Sequence, residues 1–443
     1  MNTAKWCIQF SFIISTIVIF TASSQAYASD KKATKQDLQF IKDTLSTLKR
    51  GRDTFRHETL GNESFWTDSL RLNEAISGSD LGGVGPGLSP ETALAIGLKV
   101  DVNALPRSLQ RALRKGQVDL TSPETTLALL KLNAVVGVIG SVNDDGELES
   151  VGITCALCHS VVDDSFAPGI GQRLDGWANR DIDPGLIISL APDLSAFADI
   201  LSVDQDTVRT VLQSWGPGRF DGSLIFDGQA FTPDGKTAAT LIPPAFGLAG
   251  VNLHTWTGWG GVAHWNALVA NLELGGQGTF FDPRLDDVVR FPIAAANGFS
   301  DVRPEVDLVT PKLADLNVYQ LALKAPEAPR GSFNPRKAAR GKILFSGQAD
   351  CARCHVPPLF TEPGWNLHTP EEIGIDSFQA DRGPEGRYRT SPLKGLWTHA
   401  KGGFFHDGRF ATLLDVVEHY DTTFSLGLNN RQKQNLVEYL KSL

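Results

Sequence analysis

Four cysteines fall in two identical frames, Cys155-Ala156-Leu157-Cys158-His159 and Cys351-Ala352-Arg353-Cys354-His355. The Cys-x-x-Cys-His spacing lets two thiols add to the vinyl groups of one haem while the next residue turns its imidazole onto the iron. A four-cysteine zinc site has no use for a histidine directly after each pair. A thioredoxin-like pair belongs beside a β-α-β pattern, which the chain lacks, and structural disulfides leave both histidines unexplained. The frames therefore imply two covalently bound haem c groups, attached at Cys155, Cys158, Cys351 and Cys354, with His159 and His355 as iron ligands.

The sixth iron position separates a carrier, which fills it, from a catalyst, which leaves it open or displaceable. The one methionine is Met1, so the usual second ligand of a high-potential c-type carrier is missing. Seven histidines lie outside the frames, at 57, 254, 264, 368, 399, 406 and 419, and none falls between His159 and His254. The first haem is thus expected to have an open distal face, or one guarded by the 254–281 region.

These frames need elements to hold them. Arg50-Gly51-Arg52-Asp53-Thr54-Phe55 is echoed by Arg340-Gly341-Lys342-Ile343-Leu344-Phe345, and Leu316-x-x-Tyr319-x-x-x-Leu323 by Leu436-x-x-Tyr439-x-x-x-Leu443. Each half reads as opening helix, haem frame, closing helix, with apolar residues at helical spacing. Phe345 stands six residues before Cys351 but Phe55 one hundred before Cys155, so the first half carries a long insertion, read as mostly helical from stretches such as 89–95 and 126–132. The expected architecture is mainly α, with two cytochrome c-like haem domains at 29–324 and 336–443. The Pro/Gly-bearing segment 325–335 is the linker.

Residues 1–28 read as a secretory signal: Lys5, an apolar core through Phe20, and Ala26-Tyr27-Ala28 as the cleavage site. That core is well short of the ~20 apolar residues a span needs, so no stable membrane span is expected after cleavage, and the mature chain should be periplasmic or secreted. The 443 residues are 42% hydrophobic and 21% charged, an ordinary globular composition. The net charge of −9 argues against nucleic acid as a partner and favours a basic surface on any redox protein donor.

The stretches Arg389-Thr390-Ser391-Pro392-Leu393 and Gly403-Phe404-Phe405-His406-Asp407-Gly408-Arg409-Phe410, ending Glu418-His419-Tyr420, resemble the bacterial di-haem cytochrome c peroxidase family and its relative MauG. The resemblance is specific over roughly the last 110 residues and looser upstream. It puts Tyr420 where the peroxidases carry a methionine ligand and MauG a tyrosine, and so implies Tyr420 as second ligand of the C-terminal haem. In a helix over 412–420, Leu413, Val416, Val417 and Tyr420 share the buried face while His419, the alternative ligand, turns to a more polar side.

The same resemblance implies Trp256, in Thr255-Trp256-Thr257-Gly258, as an electron bridge between the haems, although the indoles of this stretch also suit packing against porphyrin. Downstream, Glu273 and Gln277 are candidates for the polar group beside a bound peroxide, of which only the carboxyl can donate a proton, and Phe280-Phe281 for an apolar distal wall. Whether one calcium ion sits between the modules is left open by the sequence. The long first module, the wide spacing of the frames and Thr54 to Trp66 also resemble the RoxA-type rubber oxygenases. The expected activity is reduction of peroxide, or activation of dioxygen, at the N-terminal haem with electrons relayed by the C-terminal one. The alternatives are a haem oxygenase acting on an apolar substrate and a non-catalytic di-haem carrier.

Overall fold

A computed structural model describes residues 33–443. The segment read as a signal, Cys7 included, lies outside the described residues. The chain divides into two compact units, one up to Thr47 and one from Leu48 onward. Of the first, the described part is the beginning of helix α1 (Lys35–His57). Everything below concerns the second.

Helices make up 44% of the structure, and the longest strand has six residues, so the architecture is mainly α. The two sequence echoes are one packing arrangement used twice. In the first, Gly51 of α1 lies so close to the helix Thr310–Ala322 that a Cβ there would come within 2.0 Å of the Asp315 carbonyl and 2.7 Å of Tyr319 Cβ. In the second, Gly341 of Pro335–Ser346 meets Asn430–Lys441 with the same 2.0 Å to the Asn435 carbonyl and 2.7 Å to Tyr439 Cβ. Both tyrosines take an aromatic partner one turn along the opening helix: Phe55 at 5.7 Å from Tyr319 and Phe345 at 5.2 Å from Tyr439. Only glycine allows two backbones to approach this closely. Each crossing packs against one frame, since Cys155 lies in the cluster of Phe55 and Leu316, and Cys351 in that of Phe345, Leu436 and Tyr439.

The inserted region of the first half is less helical than its sequence suggests. Helices do form at Pro90–Ala95 and Pro123–Lys131, each capped by a serine, Ser89 or Ser122, that accepts a backbone N–H of the first turn. Between them and the first frame, however, stands an antiparallel hairpin, β1 (Val138–Val142) and β2 (Leu148–Ile153). Asn143-Asp144-Asp145-Gly146, with Gly146 at φ 88°, makes its turn, while glycines and serines on the strands blur the apolar alternation that marks a strand. Asn62 pins the end of β2 by donating to the Ile153 carbonyl at 2.8 Å and accepting its N–H at 3.1 Å. The hairpin thereby delivers Cys155 two residues later.

Residues 323–334 form no helix or strand. Among the described residues no helix is long and apolar enough to cross a membrane.

Candidate haem sites

Both frames adopt a tight helical turn: Ala156–His159, with Cys155 leading into it, and Cys351–Arg353. A turn brings positions i and i+3 to the same side, so each pair of sulfurs faces one direction. All four cysteines are free thiols. Burial pushes Cys155 and Cys351 up to about 11, and burial followed by the neighbouring Glu273 pushes Cys158 up to about 12.

Burial holds the His159 and His355 imidazoles down to about 4, in the neutral form that ligates iron. His355 Nδ1 sits 3.2 Å from the Phe360 carbonyl, an arrangement that fixes the tautomer and leaves Nε2 for a metal. His159 Nδ1 is buried without a hydrogen bond, with the Pro243 carbonyl the nearby acceptor.

Beside the second frame lies a cavity of about 450 Å³ bounded by Cys351, Cys354 and His355 and walled by Phe246, Phe404, Leu413, Val416 and Leu440. Into this apolar space project two cationic side chains that lack full partners. Arg180 Nε and Nη1 have no hydrogen bond, and Arg389 Nε has none, although its Nη1 donates to the Leu253 carbonyl at 2.6 Å. Burial lowers both guanidiniums to about 10. A buried cation without an anion is costly. A flat apolar macrocycle carrying carboxylates on its edge would fill the cavity and satisfy both, so the residues present fit haem. Cys351 and Cys354 would hold it covalently, His355 at the iron, and Arg180 and Arg389 at its propionates.

Leu413, Val416, Val417 and Tyr420 of the helix Leu413–Thr423 all face this cavity. The capping box of Thr412 and Asp415 fixes where that helix starts and therefore which residues turn inward. His419 faces elsewhere, its Nε2–H donating to the Ile373 carbonyl at 2.8 Å. The Tyr420 ring stacks on Phe424 at 5.6 Å, and burial raises its phenol above the ordinary tyrosine range.

The two frames approach one another through short segments. Asn179 N–H donates to the Cys158 carbonyl at 2.8 Å, and the next residue, Arg180, lines the second cavity. Pro243 likewise bears on His159 and lines that cavity. Trp256 stands on the same wall, its Nε1 donating to the Leu241 carbonyl at 3.0 Å. Of the other two indoles, Trp259 is buried in an aromatic cluster with its Nε1 on Asp282 at 2.9 Å, and Trp265 packs edge-on against it.

Glu273 ends a π-helical turn, Val269–Glu273, that continues the helix Val262–Leu268. It lies close enough to Cys158 to raise that thiol, and burial, then the charge of Asp221, pushes its own carboxyl up to about 8. Gln277, by contrast, spends its amide on the Gly61 carbonyl at 3.2 Å and Ser64 Oγ at 3.3 Å. The expected wall of two phenylalanines does not form. Phe280 is buried in the aromatic cluster, while Phe281 is 57% exposed under Arg303, because neighbouring residues of a strand point to opposite faces.

No motif marks Arg180, which only the tertiary fold brings to the cavity, or Asp221, whose charge reaches Glu273. Arg389 opens the Arg389-Thr390-Ser391-Pro392-Leu393 stretch, and only the fold shows that it lines the cavity. Among the described residues one group of three His/Cys/Asp/Glu donors converges, Cys354, Glu362 and His368. Its sulfur and nitrogen are not the oxygens calcium takes, so it lends the calcium ion no support.

Two Cys-x-x-Cys-His turns with neutral imidazoles, one of them beside a haem-sized cavity, define a c-type haem protein. No family model matches the chain. It is 28% identical over 153 residues to the methylamine utilization protein MauG of Methylorubrum extorquens, covering 29% of this chain and 43% of that protein. It is 25% identical over 289 residues to the cytochrome-c peroxidase IdrP1 of Denitromonas iodatirespirans, covering 52% of this chain and 73% of that one. The chain thus spans less than half the length of the MauG protein it matches. Among solved structures, a MauG-like protein associated with microbial copper homeostasis aligns at 17% identity over 52% of this chain and 79% of that one, with a TM-score of 0.32, too slight to bear on the fold. The sequence likenesses are to the di-haem cytochrome c peroxidase and MauG family.

Proposed function

We propose that the chain is an exported di-haem c-type oxidoreductase of the peroxidase/MauG type, periplasmic or secreted once residues 1–28 are removed. Its modules are 29–324 and 336–443, joined by 325–335, a reading supported by the twice-used glycine crossing beside each frame. When bound, haem would supply the redox chemistry: His159 would hold the group that meets peroxide or dioxygen, and His355 the group that stores electrons from a redox protein donor.

The protein's own residues set those unequal roles, and their asymmetry is the observation that carries the reading. Tyr420 faces the cavity beside the second frame, where it would serve as the second iron ligand, whereas the first frame has a protonatable carboxyl, Glu273, nearby. With peroxide held at that site, Glu273 would be the group that donates a proton to its outer oxygen. Two electrons and two protons in all turn one peroxide into two waters. Trp256, on the wall shared with Pro243, lies on the electron path between the sites. The test is Glu273→Gln in the holoprotein. The second-order rate of reaction with peroxide should fall by about 10²-fold or more while cyanide still binds, and an unchanged rate removes Glu273 from the chemistry.

A further inference from the structure

One guanidinium lies fully buried among acids. Arg382 is 1% exposed, pairs with Asp221 Oδ1 at 2.9 Å, and grips Asp227 through Nε at 2.6 Å and Nη2 at 3.1 Å. Asp221 keeps its second oxygen, Oδ2, buried with no hydrogen-bond partner. The next residue is Gly222, and the Glu273 carboxyl rests on it: a Cβ there would fall 2.2 Å from Oε1 and 2.7 Å from Cδ. Asp221 and Asp227 thus share one buried cation, and the half-buried Glu273 carboxyl adjoins them without a cation of its own. Arg382 balances one negative charge, so ionisation of Asp221, Asp227 and Glu273 together would leave two uncompensated in a desolvated site.

We propose that Asp221 is a positioning residue for Glu273, its free Oδ2 accepting a hydrogen bond from the protonated Glu273 carboxyl in the resting protein and Arg382 holding Asp221 in place as the acceptor. The inference rests on the reading of Glu273 as proton donor given above and adds what keeps it loaded. The groups facing Glu273 are Asp221 and the Cys158 sulfur, the latter uncharged once in a thioether. Those facing Asp221 are Arg382, Asp227, Glu273 and the Leu224 N–H. The Asp221 charge opposes ionisation of Glu273, and burial acts in the same direction. The absence of a side chain at Gly222 gives the carboxyl room to reach its partner.

The test reads protonation directly. In the holoprotein, infrared difference spectra across pH should show a protonated-carboxyl band that vanishes in Glu273→Gln and titrates near 8 in the parent. In Asp221→Asn, which keeps volume and removes the charge, the midpoint should fall below that of the parent. The alkaline limb of the peroxide rate should move with it, lowering the rate at pH 7 by about tenfold if the midpoint reaches 6. Should Asp221→Asn fail to attach haem, Asp221→Ser removes the same charge in less volume and should shift the band in the same direction. A midpoint unmoved by loss of the Asp221 charge overturns the pairing. If instead the band moves but Glu273→Gln leaves the peroxide rate unchanged, the pairing stands and the catalytic reading of Glu273 fails.

Discussion

Tyr420 and His419 are neighbours in sequence with opposite fates. A step of ~100° around a helix sends one into a haem-sized cavity and the other to a backbone carbonyl. Tyr420→Phe should strip low-spin character from the second haem alone, read by electron paramagnetic resonance, whereas His419→Ala should leave both haem signals in place. The arginines make a second prediction at this scale. A guanidinium beside a haem disfavours the more positive oxidised state, so Arg389→Leu should lower the reduction potential of the second haem, as measured by redox titration. An unshifted potential would place the Arg389 charge away from the propionates.

At the level of elements, the paired glycine crossings have a mechanical consequence. Any side chain at Gly341 must push the helix Asn430–Lys441 off its partner, because the obstructing atom is the Asn435 backbone carbonyl. Gly341→Ala should cost about 1–3 kcal/mol, a typical overpacking penalty, and lower the melting temperature of the holoprotein. Gly51→Ala should do the same at the equivalent crossing. These elements were legible in the sequence because helical periodicity and the repeated Arg-Gly and Leu-x-x-Tyr patterns are local signals. The hairpin was not, since Gly140, Ser141, Ser150 and Gly152 interrupt its alternation.

Across the whole molecule, the haem frames could be read because covalent attachment demands adjacent residues, and such demands survive in any sequence as spacing. The charge clusters were hidden because Asp221, Glu273 and Arg382 come from distant parts of the chain and meet only after folding. Buried imidazoles give a molecule-wide prediction. Burial holds His254, His399 and His406 down to about 4, 3 and 4, against an ordinary value of 6.5. The unfolded chain takes up protons below about 6.5 that the folded chain refuses, so stability is full above that pH and falls as pH drops toward 4. Thermal melts from pH 7 to pH 4 should show it, and a flat melting temperature would mean these rings are solvated.

Two covalently held haems that differ in their sixth position should be distinguishable by their spin states. Electron paramagnetic resonance of the purified holoprotein, resting and half-reduced, tests this most directly, with cyanide added to each. The expected result is one low-spin haem dependent on Tyr420 and one that is high-spin or opens to cyanide. Two low-spin haems closed to cyanide in both redox states would contradict it.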